Sequence, residues 1–102
     1  MQKIIKHDKY IEDLCLKLRP NYDILIKNVP LRSRRKRLIA EIDILALKED
    51  YCDVYEVKCS YRKTKAKKQL NKIGKIMNKS RRVRNKFFFC GESGQIVPVE
   101  NL

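Results

Sequence analysis

The 102-residue chain has no tryptophan, one histidine, three glycines and three prolines. No segment reads as a linker and no stretch repeats, so residues 1–102 are expected to form a single domain. Its cysteines, Cys15, Cys52, Cys59 and Cys90, never fall in a C-x-x-C pair. A zinc site wants closely spaced ligands, and His7 lies far in sequence from three of the four thiols, so core thiols are the expectation. The start, Met-Gln-Lys-Ile-Ile-Lys-His-Asp, holds no apolar run of signal-peptide length. Without an export signal a disulfide framework is not expected either, which points to an intracellular protein. The longest apolar stretches are a few residues, too short for a transmembrane helix, and no membrane partner is expected.

Acidic residues are the most telling scarcity. Twenty-five Lys and Arg face twelve Asp and Glu, a net charge of +13. The signs are not interspersed: Val57 to Gly91 contains thirteen cations and no acid. A second cluster, Arg32-Ser33-Arg34-Arg35-Lys36-Arg37, has five cations among six residues. One-signed clustering of this kind points to a polyanion, with nucleic acid ahead of an anionic membrane surface. The 43% hydrophobic content still suffices for a core.

Ile4, His7, Ile11, Leu14, Cys15 and Leu18 recur at helical spacing before Arg19-Pro20. His7 on that face reads as a packed histidine at the helix edge. A strand is expected over Tyr22–Val29, closed by Pro30, then a basic loop over Leu31–Arg37. Leu38–Leu47 and Cys52–Cys59 read as two strands of a hairpin. Thr64 is placed to cap a second helix with a buried stripe of Ala66, Leu70, Ile73 and Met77, and lysines including Lys79 on its other faces. Gly74 in its middle costs about 1 kcal/mol against alanine. Arg84–Cys90, with the triplet Phe87-Phe88-Phe89, is a buried strand, and Gln95–Val99 a short last one. The order α-β-β-β-α-β, with a final strand, suggests an α/β fold: a mixed sheet flanked by two helices.

Two acids interrupt an apolar strand in Leu38-Ile39-Ala40-Glu41-Ile42-Asp43-Ile44-Leu45. Aspartate is a poor strand former, so Asp43 asks for a reason. Strict alternation puts Glu41, Asp43 and Leu45 on one face, Ala40, Ile42 and Ile44 on the other, and Glu56 with Lys58 on one face of the next strand. A hairpin centred between Glu49 and Asp50 would set Asp43 opposite Glu56 and Glu41 opposite Lys58, with Cβ atoms about 5 Å apart. Carboxylates that close repel unless a proton or a cation lies between them. A hard divalent ion such as Mg²⁺ meets that need, and the alternative is a solvated face of paired charges.

Asp43 and Glu56-Val57-Lys58, set in this element order, resemble the PD-(D/E)XK nuclease superfamily over nearly the whole chain. Glu12 on the first helix and Ser33 within the basic loop are similar to features of the archaeal Holliday junction resolvases. The signature proline is Ile42 here, and Glu41 is an additional acid. The resemblance implies a restriction-endonuclease-like αβββαβ core. It implies Asp43, Glu56 and the Val57 carbonyl as ligands of Mg²⁺, for which Mn²⁺ can substitute. Lys58 would be the catalytic lysine and Glu12 the acid that orients the attacking water. Gln69 weakly echoes a glutamine of the exonuclease-like branch. The expected function is Mg²⁺-dependent hydrolysis of DNA phosphodiesters, structure-specific and resolvase-like, by a homodimer acting in recombination or repair. Arg32, Ser33, Arg34, Arg35, Lys36 and Arg37, with Arg62, Lys63, Lys65 and Lys68, would hold DNA phosphates. A nuclease of ordinary or damaged duplex and a catalytically silent nucleic-acid-binding module are the alternatives.

Overall fold

The computed structural model describes residues 6–77 and 82–99. Helix α1 (Lys6–Leu18) passes through a 3₁₀ turn (Arg19–Asn21) into β1 (Ile24–Arg32). Then follow β2 (Leu38–Lys48), β3 (Tyr51–Lys58), α2 (Lys63–Met77), β4 (Arg82–Cys90) and β5 (Gln95–Pro98). The architecture is α/β, in the element order expected from the sequence. Ile4 and Lys79 lie outside the described residues. Among the described residues no helix is long and apolar enough to cross a membrane.

The five strands form one mixed sheet in the order β1-β2-β3-β4-β5. The first three make an antiparallel meander, β4 runs parallel to β3, and β5 is antiparallel to β4. A parallel pair cannot be closed by a tight turn, and α2 supplies the crossover. Each helix covers one face. Ile11, Leu14, Cys15 and Leu18 of α1 pack on Ile44, Ala46, Tyr55, Val57 and Phe89. Ala66, Leu70, Ile73 and Met77 of α2 pack on Ile42, Leu45, Val54 and Phe88. The Phe triplet therefore serves both layers. None of the four cysteines is in a disulfide, and Cys15, Cys52 and Cys90 are buried.

Five local expectations are corrected. The first strand runs through Pro30 rather than stopping there, because β1 is an edge strand and a missing N–H on its open side costs no ladder bond. The basic loop accordingly shrinks to residues 33–37, Leu31 and Arg32 being paired in β1. Helix α2 opens one residue before Thr64, and the Arg62 carbonyl accepts the Ala66 N–H at 3.1 Å. The last strand stops at Pro98, and Val99 follows it buried. Alternation along β2 also loses step at Asp43: Ile44 and Ala46 face α1, whereas Ile42 packs under α2 together with Leu45. The neighbouring strand does the same at Asn28, whose φ of 54° is left-handed, a conformation asparagine tolerates. The paired residues run Lys27↔Ile44 and then Val29↔Ile42, skipping Asn28 and Asp43. Asp43 thus sits where two strands exchange faces.

Two glycines mark close approaches. The Tyr10 ring of α1 lies so near Gly91 that any Cβ there would overlap it, while the Gly91 N–H donates to the Lys58 carbonyl at 2.8 Å. At Gly74 a Cβ would meet Lys86 Nζ at 3.1 Å, which gives the mid-helix glycine its reason. Lys86 is only 6% exposed and donates to Asn71 Oδ1 at 3.4 Å, and burial lowers its pKa.

Asp53 is the fully buried acid of β3. Tyr22 Oη donates to it at 2.5 Å, Arg84 Nη2 at 2.7 Å and the Asn85 N–H at 3.0 Å. A bulge between Cys52 and Asp53 in the β3–β4 ladder turns that amide toward the carboxylate. A charge so deep is tolerable only with such donors. Asp53 is a structural tie at the far end of β3 from Lys58.

Candidate active site

The hairpin register matches the one inferred from its centre: Lys48↔Tyr51, Leu47↔Cys52, Ala46↔Asp53, Leu45↔Val54 and Ile44↔Tyr55. The ladder ends there. Beyond it Asp43 Oδ2 accepts the Val57 N–H at 2.8 Å, so a carboxylate takes the place of a backbone partner. β2 and β3 diverge at this point, and the Asp43 and Glu56 carboxyls lie close together in the gap. Glu56 is 3% and Asp43 7% exposed. Burial, followed by the hydrogen bond and charge of Asp43, pushes Glu56 up to about 8, with Lys58 pulling the other way. Glu56 raised this far is largely protonated at neutral pH, which relieves its repulsion with the neighbouring carboxylate. Lys58 Nζ stands 3.4 Å from Glu56 Oε2.

Three of the four residues expected to act together are thus assembled: Asp43, Glu56 and Lys58. Glu12 is not among them. It pairs with Lys27 on the opposite side of α1 from His7, and with Cys15, Arg19 and Tyr22 it lines a separate cleft between α1 and β1. Residues five apart on a helix point about 140° away from each other, so one helix cannot aim both His7 and Glu12 at Asp43. Glu41 is also elsewhere, exposed beside Gln69 and Lys72 rather than facing Lys58.

His7 is the residue the sequence undervalued. Its Nε2 lies 2.8 Å from the Val57 carbonyl oxygen, to which it donates, and 3.5 Å from Asp43 Oδ2. The available signal was its place on the buried face of α1, one turn before Ile11. Nothing in sequence indicated that this face ends over the Asp43–Val57 step.

Among the described residues no group of three or more His, Cys, Asp or Glu side chains is disposed to hold a metal ion. The oxygens near one another are the two carboxyls and, one residue on, the Val57 carbonyl. This is an all-oxygen set, the donor type that a hard divalent cation takes.

A cationic rim adjoins the carboxyls. Lys58, Arg62, Lys65, Lys68 and Gln69 line a cleft of about 400 Å³. Lys63 is exposed one turn away without lining it. A smaller cleft between the start of β2 and α2 shares Gln69 and adds Lys72. The loop 33–37 is built, not slack. The Ser33 N–H donates to the Arg37 carbonyl and the Lys36 N–H to the Ser33 carbonyl, both at 2.9 Å. Lys36 adopts φ 63°. Arg32 Nη1 donates to the Lys36 carbonyl at 3.1 Å, and Ser33 Oγ accepts the Arg37 N–H at 3.3 Å. The Ser33 hydroxyl is thereby engaged in the turn, while Arg32, Arg34, Arg35, Lys36 and Arg37 are exposed. Leu38 is five residues from Asp43, so this tip stands about 17 Å from the carboxyls along β2.

No protein-family model matches the chain, and no curated protein matches it.

Proposed function

We propose that the protein is a Mg²⁺-dependent DNA endonuclease of the PD-(D/E)XK type, structure-specific and resolvase-like, working as a homodimer. One observation carries the reading: buried Asp43 and Glu56 side by side next to Lys58, where a hairpin parts, at the edge of a cleft lined by four cations. The αβββαβ order with β4 parallel to β3 supports it.

Asp43, Glu56 and the Val57 carbonyl would hold the ion, Mg²⁺ or Mn²⁺ in its place. When bound it supplies Lewis acidity at the phosphate and a nucleophile at neutral pH. The chain's own groups do the rest. The Val57 N–H fixes the rotamer of Asp43, and Glu56 holds the Lys58 ammonium at the edge of the cleft. That fixed positive charge, in a site partly shielded from water, favours the extra negative charge that builds on the phosphate during attack. Arg62, Lys65 and Lys68 would bind flanking phosphates and the hairpin tip more distant ones, giving affinity with steep salt dependence and little base reading. His7 would act as a positioning residue, through its hydrogen bond to the Val57 carbonyl.

Glu12, held by Lys27, favours a second reading, a nucleic-acid-binding module without catalysis. One gel separates the two: a four-way junction, a nicked flap, plain duplex and single strands, each with Mg²⁺ or EDTA. Metal-dependent cleavage is expected, lost in Asp43→Asn and in Glu56→Gln with the fold retained by circular dichroism. Cleavage by either variant at the wild-type rate would refute the site, and binding without cutting would favour the silent module.

A further inference from the structure

Tyr61 lies in the short connection from β3 to α2 and is 55% exposed. An exposed tyrosine in a loop ordinarily swings freely. This one is braced: its ring meets Phe88 with centroids 5.4 Å apart and planes at 64°, an edge contact. Phe88 is fully buried and is the β4 residue paired with Glu56. Tyr61 therefore stands against the core, over the β4 residue paired with Glu56, directly before Arg62 in the chain and just outside the lining of the cleft that Arg62 enters. Arg62 in turn lines the 400 Å³ cleft with Lys58, Lys65, Lys68 and Gln69. That volume falls within the range of small-ligand sites, and no acid lines it. An anchored aromatic next to convergent cations is the combination that binds one nucleotide, the phosphate by charge and the base by stacking. In an intact duplex each base is already stacked on its neighbours, so a surface ring gains a base only where the stack is open.

We infer that Tyr61 and the cleft of Arg62, Lys65 and Lys68 form a subsite for one unpaired nucleotide of a DNA strand, the base stacked on Tyr61 and its phosphate held by the cations. The inference rests on the proposed reading of the neighbouring carboxyls as a phosphodiester-cleaving centre, for it sets the unpaired nucleotide next to the bond to be cut. It makes an opened strand, at a branch, a flap or an end, the preferred substrate feature.

The test is binding in EDTA, where cleavage plays no part. An oligonucleotide carrying one 2-aminopurine is titrated single-stranded and annealed to its complement, against wild type, Tyr61→Phe, Tyr61→Ala and Tyr61→Leu. Wild type and Tyr61→Phe should alter the fluorescence of the single strand. Tyr61→Ala should abolish that change and weaken single-strand affinity about tenfold, with duplex affinity changed less than twofold. Tyr61→Leu keeps an apolar contact to Phe88, so it preserves folding while removing the ring, and should behave as alanine does. Equal weakening for single strand and duplex, or none for either, would overturn the subsite. Stacking without any Mg²⁺- or Mn²⁺-dependent cutting would instead refute the nuclease reading and leave the subsite standing.

Discussion

Glu56 is where burial and chemistry conflict most directly. Its pKa is raised from an ordinary 4.5 to about 8, so the native state binds a proton that the unfolded chain releases. The stability this contributes is complete below pH 4.5 and is lost as pH rises through about 8. Thermal melts in EDTA should therefore fall from pH 5 to pH 9 by an amount worth up to a few kcal/mol. Glu56→Gln, permanently neutral, should flatten that slope and be the more stable protein at pH 9. A slope unchanged by the substitution would show that the carboxyl is ionised throughout. Lys58 is an equally local matter. If its charge acts on the transition state, Lys58→Ala should lower the cleavage rate by two or more orders of magnitude with DNA affinity nearly intact. Comparable decreases in single-turnover rate and in binding would make it one more phosphate-binding cation.

At the scale of elements, the β1–β2 hairpin matters most. Its tip carries five exposed cations on a turn closed by four hydrogen bonds, so their spacing is set by backbone rather than by chance. Fixed cations release a definite number of counterions on binding DNA. Neutralising Arg34, Arg35 and Arg37 should weaken binding to every DNA tested and flatten the plot of log K against log salt. The slope should change by roughly 0.9 for each DNA phosphate that the variant no longer neutralises. An unaltered slope would mean that the tip faces away from the nucleic acid. These three arginines lend only backbone or exposed side chains to the turn, so melting temperature should be unaffected. Helix α2 differs: its buried stripe holds the sheet on one side while Lys65, Lys68 and Lys72 project on the other.

On the scale of the molecule, a net charge of +13 and an asymmetric surface bear on assembly. Two such chains repel unless they meet away from the basic rim. Exposed Ile24 and Ile26 on β1 and Ile96 on β5 mark the uncovered apolar positions at the sheet's two edges. A homodimer with two similar sites would cut symmetrically related strands of a branched substrate. Sedimentation should show a dimer, free or on DNA, and a labelled four-way junction should resist displacement by a large excess of linear duplex. Monomer under all conditions, or displacement by duplex at equal concentration, would leave a plainer nuclease.

The element order, the two helix stripes, the hairpin centre and the candidates Asp43, Glu56 and Lys58 were legible in the sequence. Each depends on periodicity or on an acid placed where a strand does not favour one. These are local rules, with a period of two or 3.6 residues and a turn that fixes register. Other features were set only by the tertiary structure. The exchange of strand faces at Asn28 and Asp43 comes from a left-handed residue whose effect crosses to the neighbouring strand. Glu12 went to Lys27 and His7 to Val57 because of where α1 lies on the sheet: its stripe sets which face turns inward, but not which strand residues lie beneath each turn. Tyr61 reads as an ordinary loop residue until Phe88, 27 positions later in the chain, is seen beneath it. Proximity between distant segments is a property of tertiary packing, and it was packing that decided which acids stand side by side.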